Sequence, residues 1–170
     1  MGEACKRRDI VRPRQLACGA ALLIGMMMTY GPALAGDLIN TGYFGGVAIE
    51  GYDPVAYFTE GRPVKGSEAF SYEWLGTPWY FANARHRDMF ISDPAKYAPQ
   101  YGGYCVGEVA LGGITSNIDP EAWRIVEGKL YMSYDKAFAA EFGAHPGDYL
   151  TKAEAHWPSL KAKLAQDGSK

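Results

Sequence analysis

The sequence predicts a small α+β domain, and three observations predict it. Two stretches of alternating aromatic and polar residues, Phe70–Phe81 and Trp123–Ser133, are each interrupted by a Gly-containing turn and read as β-hairpins. Short helical segments follow Asp53-Pro54, Asn83, Asp93-Pro94 and Asp135. Each of these Asp and Asn residues accepts hydrogen bonds at a helix N-terminus, and proline suits the first helical position, where the N–H has no partner. The chain left after its N-terminal segment is one domain's worth, and hairpins mixed with short helices pack as an α+β domain.

Residues 1–35 read as a cleavable signal peptide. Lys6, Arg7, Arg8, Arg12 and Arg14 precede an uncharged apolar run, Leu16 to Tyr30, and Ala33-Leu34-Ala35 is a small-x-small cleavage pattern before Gly36. The run is short beside the roughly 20 apolar residues of a membrane span, so no stable membrane insertion is expected after cleavage. Lys6-Arg7-Arg8-Asp9-Ile10-Val11-Arg12 resembles a twin-arginine export signal, and an ordinary secretion signal stays open beside it. Either route implies a periplasmic or secreted protein.

The expected mature chain is 36–170, or 135 residues. Five basic and two acidic residues leave with the signal, so 12 basic and 17 acidic residues remain, a net charge of −5. That balance has no basic surplus to neutralise phosphates and excludes the usual nucleic-acid binder. Cys5 and Cys18 also leave, so Cys105 is the only thiol and an intrachain disulfide is impossible. A lone thiol in an oxidising compartment is buried and inert, a metal ligand, reactive, or half of an intermolecular bridge.

In order, 36–46 is expected as a flexible Gly-rich lead-in, 47–165 as the folded domain with a C-terminal helical extension, and 166–170 as a tail. Val47-Ala48-Ile49 suggests a short strand. A helical turn follows Asp53-Pro54 and ends by Gly61. The first hairpin comes next, then a helix from Asn83 to about Ser92. On it Ala82, His86, Met89 and Phe90 share one face, which turns His86 inward. Cys105–Leu111 suggests a short helix ended by Gly112-Gly113. The second hairpin leads into a helix capped by Asp135. Asp148–Ala165 reads as a terminal helical region with Pro158 as the expected break. No stretch repeats another, so a single unrepeated unit is expected.

Few residues are equipped for chemistry. His145 and His156 read as surface or capping residues. Paired Cys or His spacings of a zinc site, a P-loop, an EF-hand loop and a nucleophile elbow are all absent from the sequence. His86 and Cys105 remain, with Asp53 as a third member or simply an N-cap. Thiolate and imidazole together suit soft metals such as Cu(I). A thiol beside a base also suits nucleophilic chemistry.

The chain resembles the YHS-domain family in its exported bacterial form. The resemblance lies in Tyr52-Asp53-Pro54-Val55-Ala56-Tyr57, Phe70-Ser71-Tyr72-Glu73-Trp74, Trp79-Tyr80-Phe81, Asp93-Pro94, and Pro99-Gln100-Tyr101-Gly102-Gly103-Tyr104-Cys105. It extends to Asp119-Pro120-Glu121-Ala122-Trp123 and Gly128-Lys129-Leu130-Tyr131, and covers roughly 51–157. It implies a treble-clef-like α+β core and a role in heavy-metal or copper handling. The family's ligand cysteines are replaced here: Ala56 stands at the first, Ala82 and Asn83 at its Cys-Ser, and His86 at the second. The leading expectation is a non-enzymatic periplasmic module that binds copper or another transition metal through Cys105 and His86, with Asp53 in support. A thiol enzyme or redox protein using Cys105 and His86 is the alternative. A metal-free interaction module with an aromatic surface of Trp79, Tyr97, Tyr101 and Tyr104 is the other.

Overall fold

In the computed structural model, residues 38–167 are described, so the expected signal peptide, its cleavage site and most of the expected tail lie outside them. Ten regular elements follow in order: α1 (Ala56–Thr59), β1 (Ser67–Trp74), β2 (Thr77–Phe81), α2 (Ala84–Ser92), α3 (Pro94–Tyr97), α4 (Val106–Ala110), β3 (Asp119–Val126), β4 (Lys129–Ser133), α5 (Lys136–Ala144) and α6 (Pro146–Asp167). Helices joined to small antiparallel sheets make this an α+β domain, with α6 as the C-terminal helix.

The two hairpins have one design. In each, residues with positive φ form the two-residue turn, Leu75-Gly76 at 52° and 72° and Glu127-Gly128 at 51° and 73°. Two successive left-handed residues give the turn whose twist matches the flanking strands. Trp74 pairs with Thr77 and Val126 with Lys129, and each ladder slips at the same place, between Ser67 and Ser71 and between Asp119 and Trp123. Each hairpin then runs into a nine-residue helix. Asn83 caps α2 by accepting from the His86 N–H, and Asp135 caps α5 by accepting from the Phe138 N–H.

These correspondences all carry the same offset of 52 residues, from Ser67 to Asp119, Leu75 to Glu127 and Asn83 to Asp135. The offset extends upstream. Ile49, Glu50 and Gly51 form a left-handed turn (φ 41°, 56° and 75°), and so do Tyr101, Gly102 and Gly103 (φ 53°, 64° and 84°). Downstream it relates Pro94 at the start of α3 to Pro146 at the start of α6. The expectation of an unrepeated unit is therefore corrected: 48–97 and 100–149 are two copies of one backbone plan. The expected strand at Val47-Ala48-Ile49 is corrected with it, because Ala48–Gly51 is the first of the left-handed turns.

Asn40 ties the two turns together. Its N–H donates to the Gly102 carbonyl (2.8 Å), its side-chain amide to the Gly103 carbonyl (3.1 Å), and its own carbonyl accepts from Ile49 N–H (2.8 Å). Within the expected lead-in, then, Ile39 and Asn40 are buried, while Tyr43 and Phe44 are exposed. Two apolar clusters fill the interior, and the first is shared, because Cys105, Ile118, Leu130 and Met132 of the second half pack into it. Val55, Tyr57, Trp79, Phe81 and Phe90 anchor the first; Val106, Val109, Tyr131 and Phe142, with Ala153 and Leu160 of α6, anchor the second. Pro158 does not end α6, which continues to Asp167 through it.

Candidate functional site

Asp53 sits just before α1, with its carboxylate fully buried. Oδ1 accepts the N–H of Val55 (2.9 Å) and of Ala56 (3.3 Å). Oδ2 accepts the N–H of Ala82 (2.8 Å) and lies 2.6 Å from Nδ1 of His86. Asp53 is therefore not the N-cap of α1, which is Val55, but its carboxylate holds the turn leading into the helix as well as His86. His86 is on the inner face of α2, 7% exposed, as the helical phase requires. Its other ring nitrogen, Nε2, lies 3.3 Å from the hydroxyl of Thr59 on α1. That hydroxyl also donates to the Val55 carbonyl at 3.0 Å. A hydroxyl has one proton, and the shorter contact is to the carbonyl. With Nδ1 directed at Asp53, Nε2 is the ring nitrogen turned towards Thr59, an exposed residue.

Cys105 occupies the equivalent of Asp53 in the second half. Its sulfur is faced by the backbone N–H groups of Glu108, Gly107 and Tyr134, the counterparts of Ala56, Val55 and Ala82. The same three-donor cradle thus holds a carboxylate in one half and a thiol in the other. Burial pushes the Cys105 thiol up, against the opposing pull of those N–H groups. Phe138 stands where His86 stands, and Leu111 where Thr59 stands. A ring without nitrogens and an alkyl side chain give Cys105 neither the imidazole nor the hydroxyl that the first half has.

The second half also holds a cavity of about 270 Å³ bounded by α4, Tyr134, α5 and α6. Its cause is legible in the pairing of the halves. In the first, Phe58 packs edge-on against Tyr97, ring centroids 5.5 Å apart. In the second, the counterparts are Ala110 and Tyr149, and both line the cavity. Gly107, the counterpart of Val55, leaves room for the Phe138 ring: a Cβ there would stand 2.5 Å from Phe138 Cζ.

Of the three residues singled out from the sequence, the structure brings Asp53 and His86 together and holds Cys105 in a cradle of its own. No hydrogen bond or ion pair joins Cys105 to His86, and no group of three or more His, Cys, Asp and Glu side chains converges, among the described residues. Thr59 was missed, because a lone threonine four residues beyond Val55 carries no sequence signal. The expected aromatic surface is corrected: Trp79, Tyr97, Tyr101 and Tyr104 are all buried, where their rings pack the two clusters. His145 is the exposed C-cap of α5, and His156 is half-buried against Gly112. Comparison with family models, with curated proteins and with solved structures finds no match to this chain.

Proposed function

We propose that the protein is an exported, non-catalytic module of YHS-like type that binds a transition-metal ion, copper foremost, at the imidazole of His86. The observation that supports this reading is the buried 2.6 Å contact between Asp53 Oδ2 and His86 Nδ1. A carboxylate behind one ring nitrogen fixes the tautomer, orients the ring and raises the basicity of the other nitrogen, the usual support of a metal-ligating histidine. Nε2 is a donor of the right kind for copper. Cys105 is the second candidate ligand. Its sulfur would have to leave its own cradle to share an ion with His86, so His86 carries the reading and Cys105 extends it.

The thiol-enzyme reading draws less support. Burial raises the Cys105 thiol, whereas a nucleophilic thiolate needs a cation or base beside it.

The test is a Cu(I) titration of the expected mature chain, 36–170, in competition with a chelator, since Cys5 and Cys18 would otherwise bind the ion. His86→Ala should weaken binding at least tenfold. Asp53→Asn, which keeps an acceptor in place but alters the support of the ring, should weaken it by about 10–100-fold. Affinity unchanged in His86→Ala would overturn the reading, and affinity unchanged in Cys105→Ser would remove Cys105 from it.

A further inference from the structure

A metal ion approaching Nε2 of His86 meets an obstacle that the fold itself supplies. Oγ1 of Thr59 stands 3.3 Å from that nitrogen, at hydrogen-bonding geometry. A metal–imidazole bond is about 2.0 Å long and a metal–oxygen bond about 2.0–2.2 Å. An ion seated between the two atoms would therefore lie about 1.3 Å from the hydroxyl oxygen, far inside any bonding distance. One of the two side chains has to yield. The ring is poorly placed to do so. Its Nδ1 lies 2.6 Å from Oδ2 of Asp53, and that carboxylate is fixed in turn by the N–H groups of Val55, Ala56 and Ala82. Thr59 is better placed. It is exposed, it is the last residue of α1, and its hydroxyl is held over the ring by the Val55 carbonyl at 3.0 Å.

From this geometry we infer that Thr59 gates the metal site: its hydroxyl occupies the coordination position on Nε2, and the ion binds only when the side chain turns out to solvent. The inference rests on the reading of His86 as the metal ligand, and it adds how that ligand is controlled. Turning out breaks the bond to the Val55 carbonyl, so the closed rotamer is the favoured one. The apparent affinity is then the intrinsic affinity reduced by the fraction of molecules with the gate open. Thr59 thus shields the imidazole from casual ligands and sets how tightly an ion is held, without touching the support that Asp53 gives the ring. The gate belongs to the first half alone. Leu111 and Phe138 stand at the equivalent places of the second, with neither a hydroxyl nor a ring nitrogen.

The experiment reads Nε2 both without and with copper, on the expected mature chain. Diethylpyrocarbonate acylates an accessible imidazole nitrogen and needs no metal. Its rate at His86 is followed by peptide mass, with the exposed His145 of the same sample as reference. Thr59→Ala should raise the His86 rate about threefold or more and tighten Cu(I) binding about fivefold, the factor that goes with no longer breaking one ordinary hydrogen bond. Thr59→Ser keeps the hydroxyl and should stay within about twofold of wild type in both measurements. Thr59 is exposed at a helix end, and alanine is the best helix former, so these variants keep the fold. An unchanged His86 rate in Thr59→Ala, a rate in Thr59→Ser as fast as in Thr59→Ala, or copper affinity unchanged in Thr59→Ala would overturn the gate. Weaker copper binding in Thr59→Ala would overturn it too, because the hydroxyl would then be a ligand. Failure of the copper reading looks different: His86→Ala would leave copper affinity unchanged, while Thr59→Ala would still speed the acylation of His86.

Discussion

The two halves of this domain are built on one backbone and filled with opposite chemistry. In 48–97 the three-donor cradle holds the carboxylate of Asp53, which holds His86, whose far nitrogen reaches Thr59. In 100–149 the cradle faces the thiol of Cys105, and Phe138 and Leu111 replace the imidazole and the hydroxyl. The first half closes its crevice with Phe58; the second puts Ala110 there and keeps the crevice open beside α6. The difference shows how little backbone change separates a locked polar site from a receptive one. Backbone donors tolerate a carboxylate or a thiol, and side-chain volume decides whether space remains.

The largest expected effect comes from removing the lock. Asp53→Ala takes away the acceptor of two buried N–H groups and one part-buried one, and the partner of His86. Breaking a buried charged contact from one side costs about 3–5 kcal/mol, because the groups left behind have no water to turn to. Urea unfolding should show a loss of that size for Asp53→Ala and a clearly smaller one for Cys105→Ala, where a thiol is lost from the matching cradle. Equal losses in the two variants would mean that the halves are held alike, and the contrast between them would fail.

A sharper measurement exchanges the chemistry of the halves. Cys105→Asp puts a carboxylate into the second cradle opposite Phe138, so one oxygen meets a ring edge in place of an imidazole. That variant should be destabilised by about 1–3 kcal/mol. Adding Phe138→His supplies the missing partner, and the double variant should recover at least about 1 kcal/mol relative to the sum of the singles, a coupling of the size found for contacting polar pairs. Strict additivity would show that the second cradle does not reproduce the first.

Much of this plan was legible in the sequence, and the reason differs by feature. Hairpins and capped helices come from local rules, so Asn83, Asp93 and Asp135 mark their helices correctly. The inward turn of His86 follows from helical phase. The duplication was not read, because only a few side chains survive in both copies. Gly51-Tyr52 and Gly103-Tyr104, Gly76 and Gly128, Phe90 and Phe142, Pro94 and Pro146, and Tyr97 and Tyr149 all stand 52 residues apart. Those are mostly the positions where backbone geometry or a core ring allows little choice. The left-handed turn at Ala48–Gly51 was missed for a related reason: Ile49 at φ 41° is a conformation that β-branched residues rarely adopt, and Asn40 imposes it from outside the segment. Cys105 and His86 looked like partners because they are the chain's conspicuous reactive residues. Long-range packing gave each a different neighbour.

The smallest expected effect concerns alkaline pH, and it also separates the halves. Burial raises the Cys105 thiol above its ordinary 9.0, so between that value and the folded one the native chain holds a proton that the unfolded chain has released. Stability is then full below about pH 9 and falls as the pH rises above it, by at most about 1.4 kcal/mol per pH unit for one group. Tyr57, whose hydroxyl donates to the Pro120 carbonyl (2.9 Å), and Tyr101 are raised by burial in the same direction from 10.0. Their share therefore begins about one unit higher. Urea unfolding at pH 8 and pH 9.5 isolates the thiol. Wild type should lose stability across that interval, and Cys105→Ser should lose less. Equal slopes would place the thiol in contact with water, and the second cradle would then not be the dry counterpart of the one that holds Asp53.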